Sequence, residues 1–237
     1  MVSQGAVPAP RDRRSAPSGG WRKTLSDVAV RRLPVYLRAL NELHAAGVEI
    51  TSSAELAQKT GLTSEQIRKD LASLGGFGTR GVGYRTALLA ASIRAVLGLD
   101  REVPVALVGA GHLGTAFARY NHARRQQPRI YAIFDSDPAK VGLEIGGTTV
   151  QDISELEPTV RRLGIRLAVI AVPAAAAQEV ADQLVRAGCD VLLNFAPVRL
   201  ALPEGVRVHN VDLAMELESL AYYVRPEVAP RGGAGGS

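Results

Sequence analysis

The chain has 237 residues, 46% of them hydrophobic, with a formal net charge of +5 and a single cysteine. No apolar run reaches the roughly 18 to 20 residues of a spanning helix and no signal-peptide centre is present, so a cytoplasmic protein without membrane contact is expected. Cys189 alone excludes an intrachain disulfide and reads as a buried structural thiol. Residues 1–100 carry 14 Lys/Arg against 8 Asp/Glu and the remainder 14 against 15, an imbalance that suits a phosphate-binding face in the first part or a merely solvated basic one.

Residues 1–23 and 226–237 are rich in Pro, Gly, Ser, Ala and Arg and are expected to be disordered tails. In "LPVYLRALNELHAA", Leu33, Tyr36, Leu37, Leu40, Leu43 and His44 recur at helical spacing, which predicts a first helix from Leu33 to Ala46, stopped by Gly47. Two short helices joined at Gly61 follow, each opened by a capping box, Ser52 with Glu55 and Thr63 with Gln66. Glycines 78, 81 and 83 in "FGTRGVGYRT" favour a tight, exposed hairpin, and a fourth helix from Thr86 to Leu97 closes the unit.

Three helices followed by such a hairpin are the layout of a winged helix, predicted over residues 24–99. Ser64, Gln66, Arg68 and Lys69 fall on or near the exposed side of the third helix, while Ile67, Leu71 and Leu74 face inward. A helix in a major groove needs that arrangement, with long polar side chains able to reach base edges and phosphates. Arg80 and Tyr84 fall at the hairpin's tip or flank, where an arginine can enter a narrow minor groove. The alternative is a solvated face of Arg68, Lys69 and Asp70 and a hairpin that only connects.

Near Leu99 to Val103 the period changes. "VPVALVG", "RIYAIFD", "RLAVIAVP", "DVLLNF" and "VRVHNV" are short apolar runs separated by helical or polar segments, which predicts a parallel sheet covered on both faces over residues 100–211. "DLAMELESLAYYV" then begins with Asp212 as an N-cap and carries a helical apolar stripe, giving a last helix over 212–225. The fold class is α/β: a winged-helix domain, a Rossmann-type doubly wound parallel sheet and a C-terminal helix.

Gly109, Gly111 and Gly114 follow the first strand and lead into a helix. The first permits the turn, the second lets a phosphate approach the backbone and the third lets helix and strand pack, with the pyrophosphate at the helix N-terminus. Asp135 ends the next strand, where a carboxylate accepts from both ribose hydroxyls and repels a 2′-phosphate, favouring NAD(H) over NADP(H). A hydride-transferring enzyme needs a proton donor beside the nicotinamide, and the candidates are poor: His112 lies near the phosphates and His44 in the basic half, while His122 and His209 read as surface residues. About 110 residues after Leu99 are consumed by the sheet and its helices, leaving no downstream substrate domain. No catalytic residue and no metal site is expected. Three readings stand: a DNA-binding protein that responds to NAD(H), one that responds to another nucleotide, and a small NAD-dependent oxidoreductase with an accessory basic domain.

Taken together, "VYLRALNELHAAGVEITSSAELA", "TSEQIRKDLASLGGFGTRGVGY", "GAGHLGTAF", "FDSDPAKVG", "LLNFAPV" and "NVDLAMELESLAYYV" resemble the Rex family of redox-sensing transcriptional repressors, from about Leu33 to Val224. The resemblance implies a homodimer on double-stranded operator DNA, with the C-terminal helix exchanged between subunits. NADH would release the DNA, and NAD⁺ would compete for the pocket while leaving the repressor in place. It carries over Gly109, Ala110, Gly111, His112, Leu113, Gly114 and Asp135 as cofactor contacts, with Tyr120, Pro173 and Asn194 beside them. Arg68, Lys69 and Arg80 match DNA contacts. Arg38, Tyr120 and Asp212 match a switch group in which Asp212 pairs with the partner's Arg38 on DNA and with Tyr120 when NADH is bound. The chain departs from some relatives at His112, where they have arginine, and at Leu213, where they have an aromatic residue.

Overall fold

A computed structural model describes residues 25–75 and 82–224. The chain divides into two compact units, Met1–Asp100 and Arg101–Ser237.

In the first unit, α1 (Asp27–Ala45) is capped by Ser26, whose hydroxyl accepts from the Ala29 N–H. It begins six residues before the expected Leu33, because the buried stripe starts at Ala29 and Pro34 is accommodated inside the helix. His44, expected on the apolar side, is exposed. The short strand β1 (Ile50–Thr51) leads to α2 (Ser53–Thr60), opened by the complete Ser52–Glu55 capping box. In α3 (Ser64–Ser73) the Thr63 hydroxyl accepts from the Gln66 N–H, one half of the expected box. Strand β2 (Tyr84–Arg85) precedes α4 (Thr86–Leu97). Leu33, Tyr36, Leu40, Leu56, Ile67, Leu71, Leu74, Leu89 and Ile93 form the core of this winged-helix unit, each no more than 1% exposed.

The expected glycine-rich hairpin is corrected in part. Strand β2 pairs antiparallel with the distant β1, Tyr84 opposite Thr51, and the segment 76–81 that holds Gly78, Arg80 and Gly81 lies outside the described residues. Gly83 has φ +100°, and a methyl group there would collide with the Thr51 carbonyl oxygen, so the close approach of the two strands requires glycine.

The second unit is a seven-stranded sheet in the order β5-β6-β4-β3-β7-β8-β9. Its strands are β3 (Pro104–Val108), β4 (Arg129–Asp135), β5 (Glu144–Ile145), β6 (Thr148–Asp152), β7 (Leu167–Ile170), β8 (Val191–Asn194) and β9 (Arg207–Asn210). All neighbours are parallel except β5 and β6. The apolar runs named five of these strands. The pair β5 and β6 escaped because "EIGGTTVQD" is polar and only Ile145 and Val150 are buried, as suits strands at a sheet's edge.

Helices α5 (His112–Arg124), α6 (Leu156–Leu163) and α7 (Ala174–Ala187) cover the sheet. Alternation along β3 sends Ala106 and Val108 into the core shared with α6 and α7, and Val105 and Leu107 into the one shared with α5. The α5 face is thinner, and an apolar cavity of about 240 Å³ opens there, lined by Phe117, Tyr120, Leu167, Val169 and Leu193 among others. The last helix, α8 (Leu213–Ala221), has every residue exposed. No described helix is long and apolar enough to cross a membrane.

Candidate functional site

The sheet order reverses direction at β3, and there the β3–α5 and β7–α7 turns diverge to form a cleft. Its volume is about 510 Å³, and its walls include Gly109, Gly111, Asp135, Lys140 and Pro173. The three loop glycines meet different constraints. Gly109 has φ +102°, and a methyl group there would strike the Ala171 carbonyl; at Gly114 one would strike the Gly109 carbonyl. At Gly111 the same methyl group would meet nothing within 4 Å. That open space adjoins the start of α5, where Gly111 is the N-cap and supplies no side-chain cap to the first-turn N–H groups. Uncapped donors and the positive end of the helix dipole suit a phosphate. His112 and Leu113 are exposed at this end, and Ala110 is buried.

Asp135 is 8% exposed at the end of β4. Its carboxylate accepts from the Ala110 N–H at 2.7 Å and the Asp137 N–H at 2.9 Å, and Lys140 Nζ lies 3.2 Å away. Burial opposes its charge, but these two N–H groups and the Lys140 ammonium hold the carboxyl below the usual carboxylate range. Lys140 was not singled out in the sequence, although it stands five residues after Asp135 within "FDSDPAKVG". The glycine cradle and the carboxylate fit a dinucleotide.

Other expected contacts lie elsewhere. Pro173 is exposed and lines the cleft as the N-cap of α7. Asn194 is fully buried, and its amide donates to the carbonyls of Ala196 and Val198 and to Asn210 Oδ1 while its oxygen accepts from the Ala196 N–H. It therefore shapes the loop after β8 and does not line the cleft. Tyr120 is on the far half of α5, 57% exposed over the 240 Å³ cavity, with the Arg124 guanidinium 5.7 Å from its ring centre. Asp212 caps α8, accepting from the N–H groups of Ala214 and Met215. Arg38 is exposed on α1. Cys189 is 1% exposed, and burial pushes its thiol up to about 11, which favours the thiol over the reactive thiolate at neutral pH.

In the first unit, Arg68 and Lys69 are exposed on α3, and Ser64 and Gln66 are half-buried at its start. The Arg68 guanidinium donates to the Ser53 hydroxyl at 3.0 Å, which holds it toward the start of α2. Tyr84 is half-buried against the helical core, so its place is at the root of the wing and not at its tip. Asp70, the third member of the presumed solvated face, is instead 5% exposed. Arg32 donates to it with two nitrogens, at 2.7 and 2.8 Å, and the Tyr36 hydroxyl at 2.7 Å. Burial works against the Asp70 charge, and these donors outweigh it and hold the carboxyl low.

Comparison with known proteins bears on both units. Residues 24–72 match the family model "Putative DNA-binding protein N-terminus", and residues 100–198 match the model of a CoA binding domain. The redox-sensing transcriptional repressor Rex of Natranaerobius thermophilus is 49% identical over 199 residues, which cover 84% of this chain and 91% of that protein. A crystal structure of RSP in complex with beta-NAD+ and operator DNA superposes with a TM-score of 0.78 at 38% identity, covering 84% of this chain and 92% of RSP. RSP in complex with beta-NADH gives 0.75 at 37% identity, covering 84% and 93%.

Proposed function

The chain belongs to the Rex family of redox-sensing transcriptional repressors, and from that premise we propose how its own residues perform the task. It is a DNA-binding repressor that responds to the balance of NADH and NAD⁺, and it is not an enzyme. The observation that carries this reading is the union, in one chain, of a helix that exposes Arg68 and Lys69 in a winged-helix unit and an open glycine cradle beside a buried carboxylate.

Gly111 and the first-turn N–H groups of α5 receive the pyrophosphate, with His112 and Leu113 at its edge. Asp135, held by Ala110, Asp137 and Lys140, accepts from the ribose hydroxyls. Pro173 borders the nicotinamide end of the cleft. The nicotinamide is cationic in NAD⁺ and neutral in NADH, and an apolar enclosure disfavours the unpaired cation. A closed arrangement therefore gains more from NADH, and the nucleotide's redox state is read as binding energy.

The enclosure is completed by a second copy. Leu213, Leu217 and Leu220 of α8 are 58%, 71% and 59% exposed, a row of apolar side chains that one chain does not cover. In the homodimer α8 is exchanged, and Asp212 pairs with the partner's Arg38 on DNA and with Tyr120 when NADH is bound. Closure changes the separation of the two α3 helices, which must meet half-sites about one DNA turn or a multiple of it apart. Ser64, Gln66, Arg68 and Lys69 face the DNA, with Arg80 and Tyr84 in the wing. We place its action in the cytoplasm, where operator DNA and the NAD(H) pool meet.

The test is binding to fragments of the source genome at one fixed salt concentration, with no nucleotide, with NAD⁺ and with NADH, since phosphate contacts make affinity salt-dependent. Selective fragments held with NAD⁺ and released by NADH, without NADH consumption, are the expected result. Steady NADH turnover, or no selective fragment in any state, would reject it.

A further inference from the structure

We propose that Arg32, Tyr36 and Asp70 form a polar clamp that sets the rotation of α3, and through it the positions of Arg68 and Lys69 on DNA. The proposal rests on reading α3 as the helix that meets the operator.

Arg68 and Lys69 point outward, and the next residue turns inward, 5% exposed. The grip comes from one face of α1, because Arg32 and Tyr36 are four residues apart. Arg32 uses Nε to Oδ2 at 2.7 Å and Nη2 to Oδ1 at 2.8 Å, and the Tyr36 hydroxyl shares Oδ2 at 2.7 Å. The apolar neighbours Ile67, Leu71 and Leu74 bury α3 and settle which face turns inward, but apolar attraction has no direction of its own to hold the exact angle. A planar two-pronged guanidinium bond does have direction, and it fixes angle as well as distance. A roll of α3 that broke this fork would displace the two adjacent cationic side chains together. The Arg32–Asp70 pair is also neutral overall.

Neutrality makes the clamp separable from simple charge. Asp70→Asn adds one positive charge to the protein and Arg32→Gln removes one, yet both break the fork. The full-length variants Asp70→Asn, Arg32→Gln, Arg32→Lys and Tyr36→Phe are compared with Lys69→Gln as a marker of the reading helix. Dissociation constants are measured for the operator fragment and for a random duplex of equal length at one salt concentration. Circular dichroism and urea unfolding report the folded fraction, and NADH affinity checks that the second unit is unchanged.

The ratio of random to operator dissociation constants should fall on the order of tenfold in both Asp70→Asn and Arg32→Gln. The random duplex itself should bind tighter to the first and weaker to the second. Arg32→Lys should keep the wild-type random affinity and still lose the ratio, and Tyr36→Phe, which keeps the fork, should lose less. An unchanged ratio in all four clamp variants would overturn the proposal while leaving α3 as the reader, provided Lys69→Gln weakens operator binding. So would losses matching only the unfolded fraction. If Lys69→Gln has no effect on the operator, α3 is not the reader and the clamp proposal falls with that reading.

Discussion

A methyl group placed on Gly109 would collide with the Ala171 carbonyl of the β7–α7 turn and one on Gly114 with the Gly109 carbonyl, whereas one on Gly111 projects into open space. The physical consequence is a split between folding and binding inside one motif. Gly114→Ala should destabilise the second unit by about 1–3 kcal/mol, as crowding of a packed site does, and Gly109→Ala should add strain from its positive φ. Gly111 has φ −76°, which any residue adopts, so Gly111→Ala should keep the melting temperature and lose NADH affinity. Thermal unfolding followed by NADH titration of the three variants checks this. Equal loss of stability in all three would remove the argument that Gly111 is kept free for a phosphate.

Helix α3 is held to α1 by apolar packing and by the Asp70 carboxylate, and the second hold depends on pH. The folded-state carboxyl of Asp70 lies below its ordinary value, so its contribution is present above the unfolded pKa of about 4 and is lost as pH falls through the folded value. Asp70 is buried while its Arg32 partner is partly exposed, so losing this charge pair should cost on the order of 1–3 kcal/mol. Wild type and Asp70→Asn should therefore differ most near neutral pH, and the gap should narrow as pH falls below about 4 and close only below the lower folded value. Urea midpoints over that range give the measurement, and a gap independent of pH would show that the charge of Asp70 does not stabilise the unit. At the other end of the chain, α8 presents an N-cap built by Asp212 and a wholly exposed apolar row, an element formed locally but not packed within one chain.

For the whole molecule, that exposed helix and the thinly covered α5 face point to an assembly larger than one chain. Leu217→Lys places a charge in the middle of the apolar row, 71% exposed in the single chain. The expected result is a shift from dimer to monomer in sedimentation, with each unit still folded and NADH-dependent release of the operator lost. A dimer of undiminished stability would remove α8 from the interface. Coupling between the nucleotide and DNA is reciprocal, so operator DNA must weaken NADH binding by the factor by which NADH weakens operator binding.

The order of the helices and of the five apolar strands was legible because it rests on local rules. Apolar periodicity, two helix starts and a strand-glycine-helix junction mark the winged helix and the nucleotide cleft without knowledge of any distant contact. The exposed pair Arg68 and Lys69 was legible for the same reason. What only the tertiary structure decided are the polar pairings across sequence distance. Asp70 stands on the inward stripe of Ile67, Leu71 and Leu74, a signal that was present, but its partner Arg32 is 38 residues away and on another helix. Tyr84, expected at the hairpin's tip or flank, pairs with Thr51, Asn194 spends its amide on the loop after β8, and Lys140 folds back over Asp135. A pattern along the chain states which faces are apolar and must be buried. Where a polar side chain goes depends on which donors and acceptors the packed faces bring within hydrogen-bond distance, and that is settled only when the elements assemble.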